Sequence, residues 1–137
     1  RRDTNDGAVL NFMRGSSFVG SISVTSSATS FNQSSDYRLK ENIVNISDGI
    51  ARIKQLQPKR FNFITDTDNT VDGFLAHEAA TVVPNAVTGE YDEVDIDNNP
   101  VYQQMDNSKL VPLLTAALKE AITRIETLEA EVGITGS

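Results

Sequence analysis

Near the C-terminus, Val111, Leu114, Leu118, Ala121, Ile125, Leu128 and Val132 follow one another at alternating steps of three and four residues. That heptad alternation sets every one of them on a single seam of an α-helix. A helix over about 108–132 is about 35 Å long at 1.5 Å per residue. Pro112 falls in its first turn, where a missing N–H costs least, and Gly133 marks its stop. Glu120, Arg124, Glu126 and Glu129 lie off the seam. A seam this narrow needs a partner helix, so the expectation is self-association, with packing onto the helix's own domain as the alternative. The branched residues in the seam are compatible with three strands but do not demand them.

The remainder reads as two further pieces, giving an α+β chain. Residues 1 to 34 are rich in Ser, Thr and Gly, with the apolar run Val9-Leu10-Asn11-Phe12 and the partly alternating Phe18-Val19-Gly20-Ser21-Ile22-Ser23-Val24-Thr25. Short strands are expected here. Too few large side chains are present to close a core, so the strands are expected to be one face of a larger assembly. Residues 35 to 107 read as a compact mixed unit. Ile50, Ile53 and Leu56 recur at helical spacing after Ser47-Asp48 as a possible N-cap, and Pro58 stops that helix. Arg60 to Ile64 alternates as a half-buried strand, Asp66 to Asn69 reads as a solvated turn, and Gly73 to Ala76 as a short apolar strand. A helical turn over about 78–83 ends at Pro84, and Asp92 to Asn99 reads as an acidic loop.

Charge and composition remove several function classes. With 12 Lys+Arg against 19 Asp+Glu, the 137 residues carry a formal charge of −7, which disfavours general binding to a phosphate backbone. No cysteine is present, so disulfides, thiolate metal sites and cysteine catalysis are excluded. A single histidine excludes any site that needs two. No apolar run approaches the roughly 20 residues of a membrane span. The start at Arg1-Arg2-Asp3, without Met or a signal pattern, suggests a fragment of something longer.

The chemistry-bearing residues cluster at the first junction, Ser35-Asp36-Tyr37-Arg38-Leu39-Lys40. A serine attacks a peptide only when a base takes its proton. Lysine is the nearest candidate base, the histidine being far off in sequence. An ordinary lysine, with a pKa near 10.4, is protonated at neutral pH; burial or a neighbouring cation such as Arg38 would lower it. Ser35 and Lys40 are five apart, so a regular strand would turn them to opposite faces. A turn or short helical segment must lie between them.

In full, Ser34-Ser35-Asp36-Tyr37-Arg38-Leu39-Lys40-Glu41-Asn42-Ile43 resembles the signature of the C-terminal intramolecular chaperone domain of phage tailspikes, tail fibres and endosialidases, a self-cleaving peptidase with a Ser-Lys dyad. Asp48 to Pro58 is similar to the helix that follows that signature. Gly73 to Glu78, with Val83 to Val87, is similar to the family's middle block, where the His77 position is often glutamine. Met105 to Leu114 is similar to the block that opens the family's terminal coiled coil. The four blocks stand in the family's order.

The resemblance implies a homotrimer: residues 1–34 as the end of a β-rich fibre stalk, 35–107 as the globular chaperone and autoprotease, 108–132 as a trimeric coiled coil, and 133–137 as a tail. It implies alignment of three stalk segments for folding, then self-cleavage at the Ser34–Ser35 bond. Ser35 would be the nucleophile and Lys40 the base. Asn42 would be a candidate oxyanion donor, and Asp36 and Arg38 a supporting ion pair. His77 would be a hydrogen-bonding core or interface residue. Neither metal nor cofactor is implied, and neither nucleic acid nor membrane is a partner beside the upstream stalk of the same polypeptide. The precursor would reside in the host cytoplasm during assembly and the mature parent fibre in the virion tail, with the chaperone released.

Other functions fit parts of the sequence. A fibre foot could trimerise without cutting itself. A similar self-cleaving domain occurs in a membrane-anchored cellular transcription factor, though the Ser/Thr-rich stretch before Ser35 suits a fibre better. Asp95, Asp97, Asn99 and Asp106 vaguely resemble a calcium loop, but Pro100 stands where glycine is needed. Glycan hydrolysis would reside upstream.

Overall fold

A computed structural model describes residues 5–133, so the start at Arg1-Arg2-Asp3 and the tail beyond Gly133 lie outside the described residues. The architecture is mixed α/β, with small sheets and a long C-terminal helix. The chain divides at the Val44–Asn45 junction into two compact units.

The first unit is an antiparallel meander of β1 (Gly7–Arg14), β2 (Ser17–Val24) and β3 (Thr29–Gln33), in that spatial order. Gly15, at φ 60°, supplies the left-handed residue of the tight β1–β2 connection. The β2–β3 turn is held by Thr25, whose hydroxyl accepts from the backbone N–H groups of Ser27 and Ala28 at 3.3 and 3.0 Å. Two irregularities leave Val9 and Val19 without a partner in the β1–β2 register. The first two strands follow the apolar runs of the sequence. The third does not stand out there, because Phe31 is the lone large apolar residue among Thr29, Ser30, Asn32 and Gln33.

The second unit is built around its C-terminal helix. Its elements are α1 (Gly49–Ile53), the hairpin β4 (Lys59–Phe63) and β5 (Asp66–Gly73), α2 (Ala76–Ala80), the short pair β6 (Val87–Thr88) and β7 (Gln104–Met105), and α3 (Val111–Glu131). A small core joins Val82, Val83 and Ala86 to Leu110 and Leu113, with Ile53, Leu56, Phe74 and Met105 packed against it. The 3₁₀ turn Asn107–Leu110 leads into α3, and Asp106 caps it, accepting from the Ser108 N–H at 3.0 Å and the Ser108 hydroxyl at 2.6 Å. At the far end Gly133, at φ 75°, closes the helix with its N–H donating to the Ala130 carbonyl. Among the described residues no helix is long and apolar enough to cross a membrane.

Four local expectations are corrected. Asp66 to Asn69 is not a turn: the chain reverses at Ile64–Thr65, and Asp66 already pairs with Phe63 as the start of β5. The acidic residues stay solvated because that strand is exposed, and Thr67, Thr70 and Val71 supply its β-branched character. Gly73 to Ala76 is not a strand, since Gly73 ends β5 and Ala76 begins α2. For His77 it is the core alternative that is corrected: the side chain is exposed, and its ring lies against Tyr91, with centroids 4.8 Å apart. Finally, the Asp48 side chain makes no capping bond at α1. Glu120 of α3 does that work from 70 residues away, its Oε2 accepting from the Ile50 N–H at 3.0 Å while Oε1 accepts from Arg124 at 2.7 Å.

Glu120 reaches α1 because the two helices touch backbone to backbone. A Cβ on Gly49 would lie 2.5 Å from the Ala117 nitrogen. Gly49→Ala is therefore expected to push α1 off α3 and lower the stability of this unit by about 1–3 kcal/mol. Urea unfolding followed by far-UV circular dichroism reads this, and an unchanged midpoint would contradict the close approach.

α3 uses two stripes. Leu113 and Ala117 are buried against the unit, with Leu110 just before them. The heptad seam points elsewhere: Val111, Leu114, Leu118, Ile125, Leu128 and Val132 are all exposed, Leu118 to 62%. Packing on its own domain thus accounts for one stripe and leaves the seam uncovered.

Candidate active site

The site begins where β3 ends. The Ser34 N–H donates to the Val19 carbonyl at 3.1 Å, and its hydroxyl to the Phe18 carbonyl at 3.3 Å. Ser34 is thereby the last residue tied to the sheet. Immediately beyond it the chain turns through a single 3₁₀ turn, Tyr37–Leu39, closed by Leu39 N–H to Asp36 carbonyl at 3.1 Å and Lys40 N–H to Tyr37 carbonyl at 3.0 Å. This is the turn that a Ser35–Lys40 pairing requires. It brings the Lys40 Nζ within 2.8 Å of the Ser35 Oγ, with a second bond to the Ser35 carbonyl at 3.1 Å.

Asp36 and Arg38 build the turn. The Asp36 carboxylate accepts from the Arg38 backbone N–H at 2.9 Å, an N-cap, and from the guanidinium through both oxygens, Nε to Oδ1 at 2.9 Å and a terminal nitrogen to Oδ2 at 2.7 Å. One residue is therefore gripped by cap and fork together. The guanidinium fork, then the backbone bond, holds the Asp36 carboxyl below its usual range and raises Arg38 in turn. Because the folded pKa is depressed, the turn's carboxylate contribution is complete above the ordinary carboxylate range and is lost as pH falls through the lower, folded value. Carboxyl-carbon NMR is expected to titrate Asp36 below about 3.9, the ordinary aspartate value; an ordinary midpoint would mean that the fork does not persist in water.

Asn42 sits at φ 52°, a left-handed position that asparagine tolerates. Among the described residues no hydrogen bond joins it to Ser34. The structure thus pairs Ser35 with Lys40 and Asp36 with Arg38. All six residues are exposed.

The acidic loop holds itself. Asp95 Oδ1 accepts from the N–H groups of Asp97 and Asn99, each at 2.9 Å, and the Asn99 amide reaches both Asp95 oxygens. Its bonds with Asn99 hold the Asp95 carboxyl below its usual range. Asp106, the residue that would have completed a calcium loop, serves as the cap of the turn before α3. Sequence reasoning missed both that cap and the Glu120 bond. Asp106 followed two residues later by Ser108 was a readable signal for the first; nothing local marked the second.

Residues 35–88 match the family model Peptidase_S74, described as chaperone of endosialidase. The matched stretch opens on Ser35 itself and runs through α1, the β4–β5 hairpin and α2 to the end of β6. The Met105 to Leu114 block and α3 lie beyond it. No curated protein matches the chain. From Ser35 to Thr88 the chain is thus similar to the chaperone-of-endosialidase family, a match that supports an intramolecular chaperone of serine-peptidase type.

Proposed function

We propose that this chain gathers three copies of itself through α3, aligns three stalk segments for folding, and then releases itself by cutting the Ser34–Ser35 bond. The observation that carries the cleavage is the 2.8 Å contact between Lys40 Nζ and Ser35 Oγ. It stands one residue past the last bond to the sheet, so one side of the bond is held by β2 and the other by the Asp36–Arg38 turn.

The chemistry follows from those positions. An ammonium has no lone pair, so Lys40 must first lose a proton; the bond to Ser35 then reverses, with the hydroxyl donating to Nζ. Ser35 Oγ attacks the Ser34 carbonyl carbon as its proton passes to Lys40. The carbonyl oxygen becomes an oxyanion, which needs hydrogen-bond donors; Asn42 is the candidate side chain. The C–N bond breaks, the Ser35 nitrogen takes the proton from Lys40, and the Ser34 acyl group is left as an ester on Ser35 Oγ. Water hydrolyses the ester, restoring the Ser35 hydroxyl and leaving a carboxylate on Ser34. No cofactor enters.

The assembly half rests on the uncovered heptad seam. Intertwined β-structures have non-local contacts that form slowly. Three chains joined at one end meet at a high effective concentration, and removal of the joint afterwards leaves a stalk held by kinetic stability. The precursor then belongs to the host cytoplasm and the mature fibre to the virion tail. Light scattering on the Ser35→Ala chain, kept whole by the lost nucleophile, is expected to give three times the single-chain mass of 14.9 kDa. A mass of one or two chains would contradict the trimer.

A further inference from the structure

Two serines adjoin at the proposed cut, and the structure treats them differently. The Ser35 Oγ stands 2.8 Å from the Lys40 Nζ. The Ser34 Oγ instead donates to the Phe18 carbonyl at 3.3 Å, while the Ser34 N–H donates to the next carbonyl along β2, that of Val19, at 3.1 Å. Successive carbonyls of a regular strand point to opposite edges. Here both reach one residue. The β1–β2 irregularity accounts for this. Phe12 pairs with Gly20 and Met13 with Phe18, so Val19 is the extra residue of a bulge, and a bulge re-aims the groups beside it. β3 pairs with β2 as far as Gln33, so past the ladder it is these two bonds that tie Ser34 to β2.

We propose that Ser34 is a positioning residue for the cleavage, its hydroxyl orienting the carbonyl that Ser35 attacks, so that the site favours a hydroxyl-bearing residue before the cut. The inference rests on the cleavage proposed above and deepens it by naming what aims the scissile bond. A single N–H bond leaves Ser34 free to swing about it. The second bond, made through Cβ, stops that swing, and the turn built by Asp36 and Arg38 holds the far side of the peptide. The Ser34 carbonyl between them is thereby presented in one orientation, the condition under which a neighbouring nucleophile gains most. The same bond withholds Ser34 as a nucleophile. Its proton rests on an amide carbonyl, too weak a base to take it, whereas Ser35 has an amine beside it. The cut therefore falls after Ser34 and not before it.

The test follows the uncut fraction of the full chain with time after pulse-labelled cell-free synthesis, across a range of pH, with the products weighed. Ser34→Ala is expected to cut about three- to tenfold more slowly, the rate equivalent of one net hydrogen bond. The pH midpoint of its cleavage is expected to stay at the parent's, because Lys40 is untouched. Ser34→Thr keeps the hydroxyl and is expected to cut at close to the parent's rate. Asn32→Ala is the control for the sheet as a whole: it removes a shorter bond between the same two strands, from the Asn32 amide to the Ser23 hydroxyl at 2.6 Å, and is expected to leave the rate unchanged. A parental rate in Ser34→Ala, a moved pH midpoint, an equal loss in Ser34→Thr, or an equal loss in Asn32→Ala would overturn the positioning role and leave the cleavage standing. A parent chain that is never cut between Ser34 and Ser35 would overturn both.

Discussion

Ser35→Ala is expected to leave the chain whole while its fold is unchanged. The hydroxyl is the proposed nucleophile, alanine offers none in its place, and the side chain is exposed. Lys40→Arg is the sharper companion. It keeps the positive charge and the hydrogen-bonding reach beside Ser35, but a guanidinium does not give up its proton in proteins. Cleavage is expected to slow by about 10²–10⁴-fold, the usual worth of a general base. Denaturing gels of freshly expressed protein read both. An arginine variant that cuts at the native rate would show that Lys40 supplies charge and not proton transfer, and cleavage in Ser35→Ala would remove Ser35 as the nucleophile.

Leu118→Asp together with Ile125→Asp is expected to turn the assembly into single chains in sedimentation. Both residues lie on the seam and are more than half exposed in the chain, at 62% and 54%. Inside a helix bundle each new carboxylate would be buried without a partner, a cost of several kcal/mol per site, repeated in every copy. The single chain has no such cost, because its core meets α3 through Leu110, Leu113 and Ala117 on another stripe. The variant should keep its helical circular dichroism signal while losing its partners. An unchanged sedimentation coefficient would place the assembly interface elsewhere.

How far the sequence reached depends on the range of the interaction. The heptad steps from Val111 to Val132 located α3 and its end at Gly133, because helix periodicity and a glycine cap are local signals. The need for a turn between Ser35 and Lys40 was legible from their spacing. The Asp36–Arg38 fork that builds the turn was legible only as a pair in a signature. What failed was non-local or compensated. Asp66 to Asn69 has turn residues, yet pairing with β4 turned them into strand, tertiary context overriding propensity. The capping of α1 by Glu120 depends on α3 crossing at Gly49, which no window around Asp48 contains. The division of α3 into one stripe for its own core and another left free also needed the fold, since both Leu113 and Leu114 read simply as apolar.

Intact mass spectrometry of the freshly expressed, denatured chain, run beside Ser35→Ala, tests self-cleavage most directly. Two masses meeting between Ser34 and Ser35, together exceeding the whole chain by one water, are expected from the parent, and one whole mass from the variant. A single whole mass from a parent that has already formed its trimer, or a cut at any other bond, would contradict the assignment of Ser35 and Lys40 as the cleaving pair.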